Sequence, residues 1–160
     1  RALQRKGFVD RSTKARSLTL TKTRKPKHLS LSLSIPILGR ISAGLPLLAE
    51  ANVEGQFQMD PGLLPRGTGG HAPFGLRVKG DSMIDAGILE DDLLVVKQTE
   101  TARIGDIVVA LVEDEATVKY LHLGEKTIEL RPANKKYKVQ RYPYDQVKIQ
   151  GVVVALHRSM

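Results

Sequence analysis

The sequence contains no cysteine, so disulfides and thiolate metal sites are excluded. This absence fits a reducing compartment, and we expect a cytoplasmic protein. No run approaches the roughly 18 apolar residues that a membrane-spanning helix needs, and no apolar stretch follows the basic N-terminus as it would in a secretory signal. We therefore expect no membrane partner. Aromatic residues make up only 4% of the chain, which predicts a modest core of valine, leucine and isoleucine.

The excess of positive charge lies in the first quarter of the chain. Residues 1–40 contain 11 of the 25 lysines and arginines and a single acid, Asp10, whereas residues 41–160 contain 14 basic and 16 acidic residues. A basic segment beside a nearly neutral domain is typical of contact with a nucleic-acid backbone. It is equally typical of a solvated arm, so charge alone leaves both interpretations open.

Residues 1–20 have the pattern of the closing half of a winged helix-turn-helix. Residues 1–6 resemble the last turns of a helix that is capped by Gly7, and two short strands around a basic turn follow. The sequence begins without a methionine and without the earlier helices of such a domain. We expect that the beginning of a larger protein is missing.

Residues 21–35 are predicted to be a linker. Within it, residues 29–35 alternate strictly between apolar and polar side chains, so this stretch could pair as a strand at a sheet edge.

Residues 36–160 are predicted to form a mostly β domain, a compact β-sandwich or partly open barrel. Short runs rich in Val, Ile and Leu are bounded by Gly, Pro, Asp or Asn, as strands are. The predicted strands are residues 74–79, 93–98, 106–112, 116–123, 127–131 and 147–157. Residues 62–73 are rich in glycine and proline and are predicted to be a mobile loop.

The segment Gly80-Asp81-Ser82-Met83 follows the first of these strands. A serine on a tight turn is accessible, and adjacent backbone N–H groups can face a developing oxyanion. The same residues are also typical of an ordinary turn or a helix N-cap. Alone, this segment does not indicate catalysis.

Lys119 lies in the middle of an apolar strand, on the same face as Leu121 and Leu123. Such a lysine either reaches water at a sheet edge or loses hydration, which lowers its pKa from about 10.4. A neutral lysine can take the proton of a serine hydroxyl. The chain has no zinc-ligand spacing and no phosphate-binding glycine loop, and the order of its four histidines does not indicate a triad. We predict no metal and no cofactor.

A third segment, residues 39–46, contains the small pair Ala43-Gly44. Small residues let a backbone approach the floor of an active site, and glycine adopts bends that other residues resist. As a lone feature the segment is also an ordinary linker.

Taken in order, Ala43-Gly44, then G-D-S-M at residues 80–83 and T-V-K-Y at residues 117–120 resemble the LexA-type repressors. This family is shared with UmuD-type mutagenesis proteins and several phage repressors. The resemblance runs from about residue 36 to residue 156. It implies a serine endopeptidase in which Ser82 is the nucleophile and Lys119 the general base. It also implies that the chain cuts itself between Ala43 and Gly44.

The resemblance implies further roles within the site. The backbone N–H groups of Asp81 and Ser82 would hold the oxyanion. As our own hypothesis for the mechanism, the apolar side chains of Ile41 and Leu45 dock the cleavage segment in the cleft and expel water from Lys119, which favours its neutral form.

The family also implies a repressor of the DNA-damage (SOS) response that is inactivated when a RecA–single-stranded DNA filament stimulates cleavage. It implies a homodimer that binds double-stranded operator DNA through the N-terminal domain, which is incomplete in this sequence. Residues 1–10 resemble the end of the LexA recognition helix and its wing strand. The side chains that we expect to contact the DNA backbone are Arg5, Lys6, Arg11, Lys14 and Arg16.

Three alternatives compete with this interpretation. A signal peptidase also uses serine and lysine but needs a membrane anchor, which the sequence lacks. A UmuD-like accessory protein of translesion polymerases and a non-cleaving dimeric DNA-binding regulator both stay open.

Overall fold

A computed structural model describes residues 32–66 and 72–160. The chain divides into two units, Arg1–Leu33 and Ser34–Met160, and only residues 32 and 33 of the first are described. The predicted wing and most of the predicted linker therefore lie outside the described residues, as does part of the predicted loop. In the part that is described, no helix is both long enough and apolar enough to cross a membrane.

The described residues form nine β-strands and four short 3-10 helices. The strands are β1 (Leu33–Leu38), β2 (Val53–Met59), β3 (Phe74–Arg77), β4 (Leu93–Gln98), β5 (Ile107–Val112), β6 (Glu115–Leu123), β7 (Thr127–Arg131), β8 (Gln140–Pro143) and β9 (Val147–His157). The 3-10 helices are Glu50–Asn52, Pro61–Leu63, Ile84–Ala86 and Tyr144–Gln146. The predicted mostly β class is confirmed.

The strands join one sheet in the order β2-β1-β3-β4-β9-β5-β6-β7-β8. Strands β1 and β3 pair in parallel, whereas β9 pairs antiparallel with both β4 and β5, and β5 to β8 form an antiparallel meander. Three of the six predicted strands have the predicted bounds, and the other three differ by one or two residues at an end.

The two strands with no counterpart among the predictions, β2 and β8, lie at the two edges of the sheet. Their sequences, VEGQFQM and QRYP, carry polar residues, a glycine and a proline. Such residues protect a sheet edge from further pairing. Because they interrupt the apolar pattern, a search for apolar runs does not find these two strands.

The prediction of an edge strand at residues 29–35 is wrong for the described part of that stretch. Strand β1 begins at Leu33 and lies between β2 and β3. Strand β2 pairs with the edge of β1 that would otherwise be free. The Ser34 hydroxyl links the two strands further, since it donates to Gln56 Oε1 at 2.9 Å and accepts from Gln58 Nε2 at 2.9 Å.

Alternate residues of β5 enter two hydrophobic clusters. Val109 and Leu111 belong to the first, and Val108, Ala110 and Val112 belong to the second. Since successive side chains of a strand point to opposite faces, β5 is covered on both sides. The first cluster also contains Leu38, Phe74, Met83, Ile88 and Leu94.

A tight hairpin joins β5 to β6. Val112 pairs with Glu115, so Glu113 and Asp114 form a two-residue turn in which both φ angles are positive, 49° and 67°. This geometry is typical of a type I′ turn, whose twist matches that of the strands. The register that follows places Lys119 opposite Val108.

Gly151 is a point of close backbone approach at the centre of the sheet. A Cβ atom there would lie 2.5 Å from the Lys97 carbonyl oxygen and 2.5 Å from Val96 Cγ1. We expect Gly151→Ala to lower the free energy of unfolding by about 1–3 kcal/mol, because strand β4 has to shift. Chemical denaturation measures the effect. Gly55→Ala is the matched control, since its Cβ would meet only Ile37 Cδ1 at 3.9 Å, and an equal loss in both variants would contradict the argument.

Candidate active site

The turn that carries Ser82 leaves the end of β3. Gly80 has φ of 81°, a left-handed conformation that favours glycine. Beyond the serine, Met83 and Ile88 are buried in the first hydrophobic cluster. The turn therefore lies between the end of β3 and these buried residues, and Ser82 itself is half-buried.

The backbone carbonyl groups of Asp81 and Ser82 both accept hydrogen bonds. The Asp81 carbonyl accepts from Ile84 N at 3.2 Å and from Asn134 Nδ2 at 2.9 Å, and the Ser82 carbonyl accepts from Ala133 N at 2.8 Å. Within the described residues, the N–H groups of Asp81 and Ser82 and the Ser82 hydroxyl make no hydrogen bond. Free N–H groups on a fixed turn can stabilise developing negative charge.

Lys119 projects from β6 and is half-buried. This burial lowers the pKa of its ammonium group, because the charged form loses hydration. Its Nζ donates to Thr117 Oγ1 at 2.6 Å. Thr117 precedes it by two residues, and side chains at that spacing share one face of a strand.

Ser82 and Lys119 line the same two cavities, which have volumes of about 330 and 480 Å³. Ile41 lines the first cavity, and Tyr137 and Gln140 line the second. In the sheet, three strands separate β3 from β6. The sheet therefore curves enough to bring the turn after β3 beside β6, and the two candidate catalytic residues face one cleft.

The cleavage segment reaches this cleft only in part. Ile41 is 4% exposed and lines the first cavity. Ala43 and Gly44 lie on an exposed turn, which Leu45 N closes by donating to Ser42 O at 3.3 Å. Leu45 is 45% exposed. Neither the scissile pair nor Leu45 lines either cavity.

Asn52 ties the two ends of this segment together. Its side chain is 2% exposed, and its Nδ2 donates to the carbonyl oxygens of Pro46 at 3.2 Å and Leu47 at 3.0 Å. The backbone carbonyl of Asn52 accepts from Gly39 N at 3.0 Å. Residues 40–45 therefore form a loop with Ala43 and Gly44 at its exposed tip. The hydrogen bonds of Asn52 hold the two ends of this loop, and we call these ends the neck.

The remaining sequence predictions concern DNA and metals. Arg5, Lys6, Arg11, Lys14 and Arg16 lie outside the described residues. Among residues 32–66 and 72–160, no group of three or more metal-ligating side chains lies close enough to hold a metal ion.

Four residues in or beside the site have no role in the sequence predictions. Thr117 carries a usable signal, because it lies two residues before Lys119 on a predicted strand. Asn52, Asn134 and Tyr137 carry none, since their partners are carbonyl or carboxylate groups distant in the chain or in an irregular loop.

Comparison with known proteins identifies the family of this chain. A family model described as Peptidase S24-like matches residues 36–154. The LexA repressor of Cereibacter sphaeroides is 45% identical over 159 residues, which cover 99% of this chain and 69% of the relative. The LexA repressor of Myxococcus xanthus is 42% identical over 170 residues, covering 100% of this chain and 76% of the relative. That of Acetivibrio thermocellus is 39% identical, with 99% and 76% covered.

The mostly β domain therefore has the sequence of a serine peptidase family. The chain belongs to the Peptidase S24-like family and, within it, to the LexA-type proteins. The resemblance read from the sequence motifs is confirmed.

The lowered pKa of Lys119 predicts a specific dependence of stability on pH. The unfolded chain holds this proton up to about pH 10.4, whereas the folded chain releases it at a lower pH. Between the two pKa values the unfolded state binds more protons, so the free energy of unfolding contributed by Lys119 rises with pH.

Denaturation at a series of pH values tests this in a Ser82→Ala background, where no chemistry at the serine interferes. We expect the stability difference between that chain and its Lys119→Met derivative to shift in favour of the lysine chain as pH rises through this window. A difference that is constant with pH would show that the folded and unfolded pKa values are the same.

Proposed function

We propose that this protein is a LexA-type transcriptional repressor that cuts its own chain between Ala43 and Gly44. Ser82 is the nucleophile and Lys119 the general base. One observation carries the proposal: Ser82 and Lys119, a lysine with a lowered pKa, line the same cleft, and Ile41, two residues before the proposed scissile pair, also lines it.

The chemistry follows from these groups. Neutral Lys119 takes the proton of the Ser82 hydroxyl as Oγ attacks the Ala43 carbonyl carbon. The N–H groups of Asp81 and Ser82 bind the resulting oxyanion. The bond from Ala43 to the Gly44 nitrogen then breaks, and Lys119 returns the proton to the leaving amine. Water hydrolyses the ester between Ala43 and Ser82 and restores the free serine.

The reaction needs the tip of the cleavage segment to enter the cleft. In the arrangement described, the turn at Ala43 and Gly44 is exposed, so an undocked and a docked arrangement exchange. Docking places Leu45 against the cleft and excludes water from Lys119, which favours its neutral form. Because the neck at Asn52 keeps the scissile bond close to the site, the step is intramolecular and gains a high effective concentration.

The proposed biological role is control of the DNA-damage (SOS) response. As a homodimer, the protein binds operator DNA through its N-terminal unit, with basic residues of that unit on the phosphates. A RecA–single-stranded DNA filament favours the docked arrangement, and cleavage then separates the DNA-binding unit from the dimerising domain. The relatives named LexA repressor cover this chain almost completely, including its basic first quarter, which supports a repressor over a UmuD-like accessory protein.

Self-cleavage is tested by incubating the purified chain between neutral and strongly alkaline pH. We expect a new N-terminus at Gly44 and a rate that rises about tenfold per pH unit, then levels off above the pKa of Lys119. N-terminal sequencing and gel densitometry measure both. Ser82→Ala and Lys119→Met are expected to give no product.

Two exposed residues outside both cavities provide matched controls, Ser159→Ala and Lys126→Met. Both are expected to cleave at the wild-type rate. Product from Ser82→Ala, or a wild-type rate that does not change over this pH range, would contradict the mechanism. Absence of any product would instead favour the non-cleaving dimeric regulator.

A further inference from the structure

We propose that Asn134 is a positioning residue that aims the Ser82 N–H into the cleft as an oxyanion donor. The inference rests on the proposed self-cleavage and extends it to a residue remote in the chain. Asn134 lies between β7 and β8, in a segment that contacts the serine turn but contributes no group that reacts.

The geometry of the peptide unit supports this role. The Asp81 carbonyl and the Ser82 N–H belong to one planar peptide unit, and in a trans peptide they point in opposite directions. The described residues contain no cis peptide. Asn134 Nδ2 donates to the Asp81 carbonyl oxygen at 2.9 Å. Fixing that oxygen therefore fixes the direction of the Ser82 N–H.

A second group also donates to the Asp81 carbonyl oxygen, but it does not fix the turn relative to the rest of the domain. Ile84 N donates to the Asp81 carbonyl at 3.2 Å, but Ile84 belongs to the same turn and would move with it. Asn134 is 53 residues away in the sequence. Its hydrogen bond fixes the turn relative to the rest of the domain.

The segment that contains Asn134 holds the turn at further points. Ala133 N donates to the Ser82 carbonyl at 2.8 Å, and the Ala133 carbonyl accepts from Asp85 N at 2.7 Å. The Tyr137 hydroxyl donates to Asp81 Oδ1 at 2.5 Å. The two backbone hydrogen bonds of Ala133 do not depend on the Asn134 side chain, so the segment stays attached to the serine turn in Asn134→Ala. This variant therefore tests the orientation of the peptide unit between Asp81 and Ser82.

The amide of Asn134 is itself held in the orientation that this role needs. Its Oδ1 accepts from Lys136 N at 3.0 Å, so its Nδ2 faces the serine turn. The Ser82 N–H has no partner within the described residues. A free donor whose direction is set from outside the turn is preorganised for an oxyanion.

Two substitutions separate the hydrogen bonds of Asn134. Asn134→Ala removes both, whereas Asn134→Asp keeps the acceptor for Lys136 N and loses the donor to Asp81. We expect each to slow cleavage at Ala43–Gly44 by about 10- to 100-fold at every pH, because a misdirected donor stabilises the oxyanion poorly. In Asn134→Ala, which adds no charge, the midpoint of the pH dependence is expected to stay at its wild-type value.

A second readout does not depend on the cleavage segment. A fluorophosphonate probe reacts with Ser82 when Oγ attacks phosphorus, fluoride leaves and Lys119 takes the hydroxyl proton. The phosphonyl oxygen then occupies the position of the oxyanion, so labelling of the full chain is expected to slow by a similar factor in both variants. Lys136→Ala is the matched control, because its exposed side chain makes no described contact and its backbone N–H is retained.

The outcomes distinguish the two proposals. Folded Asn134 variants that cleave and label at the wild-type rate would overturn the role of Asn134 and leave self-cleavage intact. A shifted pH midpoint with an unchanged limiting rate in Asn134→Ala would also overturn it, because the residue would then act through Lys119. A wild-type chain that neither cleaves nor labels would overturn the proposed function itself.

Discussion

The loss of hydration at Lys119 is the condition on which the proposed chemistry of this protein depends. Within the described residues, the ammonium group donates to the Thr117 hydroxyl and has no carboxylate partner, so burial lowers its pKa without compensation. Asp92 is a charged group whose burial is compensated by an ion-pair partner. Its carboxylate is 2% exposed but accepts two hydrogen bonds of 2.7 Å from Arg158, which lower its pKa and keep it charged. The buried Asp92 carboxylate stays charged because Arg158 pairs with it, whereas the half-buried Lys119 ammonium has no carboxylate partner among the described residues and therefore has the lowered pKa that the proposed base needs.

The fold provides this environment through register and curvature. The tight turn at Glu113 and Asp114 sets the pairing of β5 with β6 and so places Lys119 opposite a valine that is fully buried. Curvature brings in the serine turn from a strand that is not a neighbour in the sheet. The hydrogen bonds of Asn52 hold the ends of the loop that carries Ala43 and Gly44, and Ile41 of the same loop lines the cleft. In the proposed mechanism, the resting and reactive arrangements therefore differ only in this short loop.

The interior strands and the candidate catalytic pair can both be predicted from the sequence, but for different reasons. Strands such as β4 and β5 contain the apolar runs LLVV and IVVALV, whose residues are almost all buried, and burial on both faces of a strand produces that pattern. Ser82 and Lys119 are each ambiguous alone, and the order of three motifs makes them recognisable. The edge strands, the inner place of β1 and the roles of Asn52 and Asn134 are not predictable in this way. Each depends on a partner brought close only by the folded sheet, and a single polar residue in a loop carries no periodic signal.

The pKa of Lys119 is the quantity that tests this account most directly. In a Ser82→Ala chain with ¹³C-labelled lysine, NMR follows the Cε resonances over an alkaline titration, and the Lys119→Met spectrum assigns the resonance of interest. We expect Lys119 to titrate clearly below the reference value of a free lysine side chain, about 10.4, because its ammonium is desolvated. A Lys119 resonance that titrates at or above that reference value would show that burial does not produce a neutral base, and the proposed catalysis would then lack its general base.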